Sequence, residues 1–162
     1  MIAEIRRLIP KLKKAIINTY GHRLVSLVLY GSVGRQTPNY ESDIDILIIA
    51  EQLPRGRMRR IQEFTRVEEN LNDEFERLYK KGIYTTLSPI IKSKEEVLFG
   101  SPLFLDMIDD SIILYDKENF FKNYLKKFKR KLQNLGAKRV NLGDYWYWIL
   151  KSDYKPGEVF EL

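Results

Sequence analysis

Two carboxylates, Asp43 and Asp45, interrupt an apolar run in the first third of the chain. The run at residues 44–50, IDILIIA, has the composition of a buried strand, and residues two apart on a strand point to one face with Cα atoms about 6.5–7 Å apart. Two like charges in a core are strongly unfavourable unless something cationic offsets them. Carboxylate oxygens are preferred ligands of Mg²⁺ and Mn²⁺, so the pair predicts a divalent metal site. The alternative is that both aspartate side chains lie at a frayed strand start, in contact with water or an arginine.

A glycine-containing loop precedes this pair. Gly31 and Ser32 come directly after a β-prone run, Gly34 and Arg35 follow closely, and the first carboxylate is eleven residues beyond Ser32. Glycine lets the backbone approach a phosphate closely, and successive free N–H groups form an anion-binding nest. Hydroxyl and guanidinium groups add further donors. Because a nucleoside triphosphate needs both donors and metal, the loop and the carboxylates together predict an NTP site. The loop alone is neither a Walker loop nor a dinucleotide fingerprint.

Hydrophobic periodicity predicts the elements that must hold these residues in place. Apolar, β-prone runs predict strands at residues 24–30, 44–50, 83–92, 111–115 and 145–149. Helical spacing predicts helices at residues 5–20, 54–80 (the longest), 94–109 (interrupted) and 121–135. Pro10 is expected to break or kink the first helix or to open a second one. The order predicts an α/β (α+β) fold, a mixed sheet packed by helices, with a C-terminal helix and a small β tail.

The composition limits the class of protein. A chain of 162 residues predicts one domain with a modest appendage, divided here into 1–116 and 117–162. No apolar stretch approaches the ~20 residues of a membrane span and no signal-peptide core is present, so we expect a cytoplasmic protein with no membrane contact. The absence of cysteine excludes a disulfide framework and a thiolate zinc site.

Two features of the C-terminal part have alternative interpretations. Residues 117–139 hold nine Lys or Arg against one acid, which allows contact with nucleic acid or an acidic protein. A solvated lysine-rich face opposite an apolar stripe explains this helix equally well. The aromatic residues 145–148 are suited to stacking on bases, although packing over the domain as a lid is the favoured interpretation.

The spacing Gly31-Ser32, ten residues, Asp43-Ile44-Asp45 resembles the signature of the polymerase β-type nucleotidyltransferases, and most closely the minimal nucleotidyltransferases of prokaryotes. The resemblance implies transfer of a nucleoside monophosphate from an NTP, expected to be ATP, to a hydroxyl of a macromolecular acceptor. It implies that Asp43 and Asp45 are catalytic and hold Mg²⁺ or Mn²⁺. The nucleotide-binding residues that it implies are Gly31, Ser32, Gly34, Arg35 and Ser42.

One departure from the family pattern concerns a third carboxylate, which the family places on the next strand to deprotonate the acceptor hydroxyl. Residues 83–92 contain no acid, and Thr86 or Ser88 occupies the expected place. Metal and nucleotide binding remain expected, with slower transfer. Similar minimal domains pair with a helical HEPN-type ribonuclease, and some act as antitoxins by adenylylating it. The alternative is a non-catalytic nucleotide- or RNA-binding module that occludes a partner.

Overall fold

The central feature of the computed structural model, which describes residues 2–143 and 145–160, is a four-stranded sheet. Its strands lie in the order β3-β2-β1-β4. The β2–β3 pair is parallel, whereas β1 is antiparallel to both β2 and β4, so the predicted mixed sheet is confirmed. The strands are β1 (Leu24–Leu29), β2 (Ile44–Ala50), β3 (Leu87–Lys92) and β4 (Ile112–Asp116).

Six α-helices and a separate two-stranded hairpin complete the described chain. The helices are α1 (Ile2–Tyr20), α2 (Gly31–Gly34), α3 (Arg57–Glu69), α4 (Asn72–Tyr79), α5 (Lys94–Phe99) and α6 (Phe120–Asn134). The hairpin strands are β5 (Lys138–Leu142) and β6 (Tyr145–Ile149), which confirms the predicted β tail. None of the helices in these described ranges is long and apolar enough to cross a membrane.

Both faces of the sheet are covered, because alternate side chains of β1 and β2 enter two different cores. One core packs side chains such as Leu27 and Ile46 against α1, α3 and α4. The other packs Val28 and Leu47 against the apolar stripe of α6 and the segment after α5. Alternation along β2 therefore places Asp43 and Asp45 on the side of the sheet that faces α6 rather than α1.

Three sequence predictions about element boundaries were wrong. The helix predicted for 54–80 is two helices, because the backbone leaves helical geometry at Leu71, where φ is −114° and ψ is 3°. Leu71 is nevertheless buried, so the apolar spacing continues across the break and conceals it. Pro10 neither breaks α1 nor opens a second helix, since Pro10 lies on the exposed face, where water can satisfy the carbonyl that loses its donor. A kink at Pro10 stays a prediction.

The third error concerns the strand predicted for residues 83–92. It begins only at Leu87, because the preceding residues pair with the loop before β2, where the Tyr84 N–H donates to the carbonyl of Tyr40 at 2.8 Å. Pro89 lies within β3 without disrupting it. This is possible because β3 is an edge strand, on which a missing N–H need not cost a ladder bond.

Candidate active site

The two aspartates lie at the start of β2. Asp43 immediately precedes the strand and is exposed, whereas Asp45, within it, is half-buried. The two Ile residues that alternate with them, Ile44 and Ile46, are buried in the core beneath α1. The predicted alternation is thus present. Both carboxylates lie at the rim of the sheet, where Asp43 is in contact with water and Asp45 is partly shielded from it.

Hydroxyl groups from the neighbouring strand contact both carboxylates. The Thr86 hydroxyl donates to Asp43 Oδ1 at 2.6 Å, and Ser88 lies opposite Asp45 in the parallel register and hydrogen-bonds to its side chain. One of these two residues, Thr86 or Ser88, is predicted to occupy the place of the third acid of the family pattern. Within the described part of the chain, no group of three His, Cys, Asp or Glu side chains is arranged to hold a metal. The protein itself therefore offers two carboxylates at this site, and the third position is a hydroxyl.

Gly31 lies against Asp45, and this contact explains why a glycine is needed. Its φ is +63°, and a Cβ placed on it would lie 2.0 Å from Asp45 Oδ2. The Tyr30 N–H donates to the Asp45 carbonyl at 3.1 Å, so the backbones of the two segments are joined as well. The loop and the carboxylate predicted to serve one site are thus in direct contact.

The loop after β1 forms a single helical turn, α2. The first helical hydrogen bond runs from the Gly34 N–H to the Tyr30 carbonyl at 3.1 Å. The N–H groups of Gly31, Ser32 and Val33 precede that bond and have no acceptor within the turn. These three successive N–H groups and the half-buried Ser32 lie together in this turn, and their use as an anion-binding nest stays a prediction.

Two other residues predicted to bind nucleotide have clear structural contacts of their own. A Cβ on Gly34 would lie 2.2 Å from the backbone oxygen of Asp110, so glycine is required there by packing. The Ser42 hydroxyl accepts from the Asn39 N–H and donates to Asn39 Oδ1, both at 2.9 Å. Direct nucleotide contact by Gly34 and Ser42 stays a prediction, whereas both residues shape the loop around the carboxylates.

Sequence reasoning missed a residue that contacts this loop, Trp146 of β6. The guanidinium carbon of Arg35 lies 4.7 Å from the centre of the Trp146 ring, and the positive charge of Arg35 also acts on Asp45. The sequence indicated only that the aromatic tail packs as a lid or stacks on bases. No periodic signal connects residues so distant in the chain.

Burial and neighbouring charge shift the titration of the site. Burial raises the pKa of Asp45 above its ordinary value, and the Asp43 carboxylate raises it further, while the Ser88 hydrogen bond and the Arg35 charge lower it. Burial, together with the negative charge of Asp45, raises the pKa of Tyr30 to about 12. The site therefore holds more negative charge than its surroundings favour, which is the condition that a bound cation relieves.

Replacing Asp45 by Asn should stabilise the ligand-free protein at neutral pH, raising Tm by about 2–4 °C. Because the folded-state pKa of Asp45 is raised, its contribution to stability is fully present below the unfolded-state pKa and is lost as pH rises through the folded-state pKa. The gain should shrink as pH falls, because protonation of wild-type Asp45 removes the charge that Asn lacks. Thermal unfolding of both proteins from pH 4 to 8 measures this difference in Tm. Asp73→Asn, at an exposed position of α4, is the control. A lower Tm for Asp45→Asn at pH 7 contradicts the prediction.

The basic residues of α6 lie on its solvent side. Phe121, Leu125, Phe128 and Leu132 are buried, and the lysines between them are exposed, with Lys129 paired to Asp109 at 2.6 Å. This amphipathic arrangement agrees with the interpretation of a solvated face. Contact with nucleic acid through residues 117–139 stays a prediction.

A sequence profile described as "Nucleotidyltransferase domain" matches residues 9–147. The chain belongs to the nucleotidyltransferase domain family. A protein of Methanocaldococcus jannaschii named "Putative protein adenylyltransferase MJ1305" is 36% identical to this nucleotidyltransferase over 112 residues, which are 68% of this chain and 71% of that protein. The family resemblance stated from the loop and the carboxylates is thereby confirmed.

Solved structures agree on the fold of this nucleotidyltransferase. A chain from the crystal structure of a toxin–antitoxin with AMP-PNP superposes with a TM-score of 0.52 at 16% identity, covering 78% of this chain and 87% of that chain. A chain from a mutant of the toxin–antitoxin MntA-HpeT gives a TM-score of 0.51 at 15% identity, covering 76% and 88%. The polymerase β-like nucleotidyltransferase fold expected from the sequence is confirmed.

Proposed function

We propose that this nucleotidyltransferase transfers AMP from ATP to a hydroxyl group of a protein, with Mg²⁺ or Mn²⁺ held by Asp43 and Asp45. In that reaction the acceptor oxygen forms a bond to the α-phosphorus, the bond to the β-phosphate oxygen breaks, and pyrophosphate leaves. The N–H groups of α2, the Ser32 hydroxyl and the Arg35 guanidinium bind the triphosphate oxygens.

The contact between Gly31 and Asp45 carries this proposal. Gly31, the first residue of α2, closely approaches Asp45, a half-buried carboxylate whose pKa is raised. Triphosphate binding needs donors for the phosphate oxygens and metal ligands at one point, and this contact supplies both together. Neither a structural loop nor an isolated surface aspartate requires such an arrangement.

The residues present fit a divalent cation. Two carboxylates on one strand are hard oxygen ligands of the kind that Mg²⁺ prefers, and Mg²⁺ in nucleotide sites is bound by one or two carboxylates together with substrate phosphates. Burial and the neighbouring Asp43 charge disfavour the ionised form of Asp45, and a bound cation would offset this electrostatic cost. When bound, the cation neutralises triphosphate charge and polarises the phosphorus for attack.

Two similarities support a protein as the acceptor and an adenylyl group as the one transferred. The 36% identical relative is named as a protein adenylyltransferase, and a chain of the same fold comes from a toxin–antitoxin structure with AMP-PNP. A HEPN-type partner protein, implied by the resemblance to antitoxin-like minimal domains, is the acceptor we propose to test first.

Incubation with α-labelled ATP, Mg²⁺ and a HEPN-type partner protein is expected to label that protein. Label from γ-labelled ATP should stay in pyrophosphate, because the group transferred is AMP. Mass spectrometry should show a modified Ser, Thr or Tyr hydroxyl. Label transferred from the γ-position would identify a phosphotransferase instead and would contradict the proposal. Competition by unlabelled GTP, CTP and UTP measures the preference for adenine.

A binding module without transfer activity is the second candidate, and one observation favours it. Hydroxyl groups of Thr86 and Ser88 contact the two carboxylates where the family pattern has a third acid. A protein retaining nucleotide and metal binding without a base at this position could act by occluding a partner. The two candidates differ in the effect of restoring an acid there.

A further inference from the structure

The indole of Trp146 is in contact with two arginines. The guanidinium carbon of Arg35 lies 4.7 Å from the ring centre and that of Arg139 lies 4.9 Å from it. Both are within the range of about 6 Å at which a cation interacts with an aromatic face. Arg139 belongs to β5 of the same hairpin, whereas Arg35 directly follows α2. The hairpin thus reaches the loop that we assign to the triphosphate.

Polar contacts fix the indole in this place. The Trp146 Nε1–H donates to Asp106 Oδ1 at 3.0 Å, and Arg139 Nη1 donates to Asp110 Oδ2 at 2.7 Å. The backbone oxygen of Asp110 in turn approaches Gly34 so closely that a Cβ there would lie 2.2 Å from it. The hairpin, the segment before β4 and α2 therefore form one continuous set of contacts that ends at Arg35.

Arg35 lies against an aromatic face. Among residues 2–143 and 145–160, no carboxylate lies within 4.0 Å of its guanidinium, although its charge lowers the pKa of Asp45. A carboxylate partner would neutralise the arginine and occupy its donors, whereas an indole face restricts its position and leaves the N–H groups free. An arginine held in this way remains able to bind phosphate oxygens.

We propose that Trp146 is a positioning residue of the nucleotide site: its indole holds the Arg35 guanidinium beside Asp45, ready for the triphosphate. The C-terminal hairpin is then part of the nucleotide site and not an independent appendage. The inference rests on the proposed role of Arg35 in triphosphate binding. If the hairpin only covered the domain, it would contribute to stability, and substitutions of Trp146 and Arg35 would not have coupled effects on nucleotide affinity.

The test measures the affinity of Trp146→Leu, Arg35→Gln and the double variant for Mg²⁺ complexes of a nonhydrolysable ATP analogue, ADP and AMP. Trp146→Leu should raise the Kd for the ATP analogue about five- to tenfold, as expected for loss of one partly desolvated cation–aromatic contact. The Kd for AMP should change less than twofold. In the Arg35→Gln background, Trp146→Leu should add nothing further, because the contact acts through Arg35.

Two further variants separate positioning from folding. Trp146→Phe keeps an aromatic face. Its loss of binding free energy for the ATP analogue should therefore be less than half of the loss caused by Trp146→Leu. Tyr147→Ala removes a half-exposed aromatic from the opposite side of the same strand and should leave all three affinities unchanged. The ligand-free Tm of each protein shows how much of any effect comes from a loosened hairpin.

Additive effects of Trp146→Leu and Arg35→Gln would overturn the inference, as would an equal loss of affinity for AMP and for the ATP analogue. If Arg35→Gln weakens binding and Trp146→Leu does not, the positioning role fails and the proposed function stands. If the wild type binds none of the three nucleotides with Mg²⁺, the proposed function itself fails.

Discussion

Mn²⁺ with ATP is expected to stabilise the wild-type protein thermally, and the double substitution Asp43→Asn with Asp45→Asn is expected to abolish that effect. A ligand at about 100 times its Kd stabilises the native state by about 2.7 kcal/mol. In a protein of this size that corresponds to a rise in Tm of roughly 5–10 °C. The double variant lacks both carboxylates and should show a rise of less than about 1 °C. Differential scanning fluorimetry with Mn²⁺, ATP and both together measures this.

Asp73→Asn with Asp153→Asn is the matched control for this experiment. It changes the net charge by the same amount at two exposed positions, on α4 and in the tail. This control should keep the full shift, so that a general loss of negative charge is separated from loss of the site. An undiminished shift in the Asp43 and Asp45 double variant would show that the metal and nucleotide bind elsewhere.

The carboxylates and the loop were predictable from sequence because their relation is local. Gly31 follows the end of β1 and Asp45 lies at the start of β2, and these consecutive strands form an antiparallel pair, so their order in the chain already places the two residues near each other. Polar residues in an otherwise apolar strand are also visible without a structure. The sequence could not show that the glycine is required by the Asp45 carboxylate itself.

Features that depend on tertiary contacts were not predictable. The break between α3 and α4 is concealed because Val67, Leu71 and Leu78 keep helical spacing while the backbone turns between them. The late start of β3 depends on a backbone hydrogen bond between Tyr84 and Tyr40, which no pattern of side chains encodes. Likewise, Trp146 meets Arg35 only because the hairpin folds back towards the segment before β4.

Thr86→Asp is expected to raise the rate of AMP transfer by about tenfold or more. A placed general base typically contributes about 10²–10⁴-fold, and an acid introduced by substitution should recover part of that range. Thr86 is exposed, and its hydroxyl donates to Asp43 at 2.6 Å, so a carboxylate there lies on the open side from which an acceptor can approach. Single-turnover transfer of α-labelled AMP to the proposed HEPN-type protein measures the rate.

Thr86→Asn is the matched control, since it has the shape of aspartate without a basic carboxylate, and it should give no increase. Ser88→Asp tests the other position, where the new acid adjoins half-buried Asp45, whose pKa is already raised by burial and by Asp43. A third charge there costs more, and we expect a smaller gain together with a lower ligand-free Tm.

Slow wild-type transfer that rises with Thr86→Asp identifies an enzyme that lacks its base. Nucleotide binding without label in the wild type or in either aspartate variant identifies the binding module instead. Rapid wild-type transfer would mean that an acid from outside β3 deprotonates the acceptor hydroxyl, because neither Thr86 nor Ser88 can serve as a base near neutral pH.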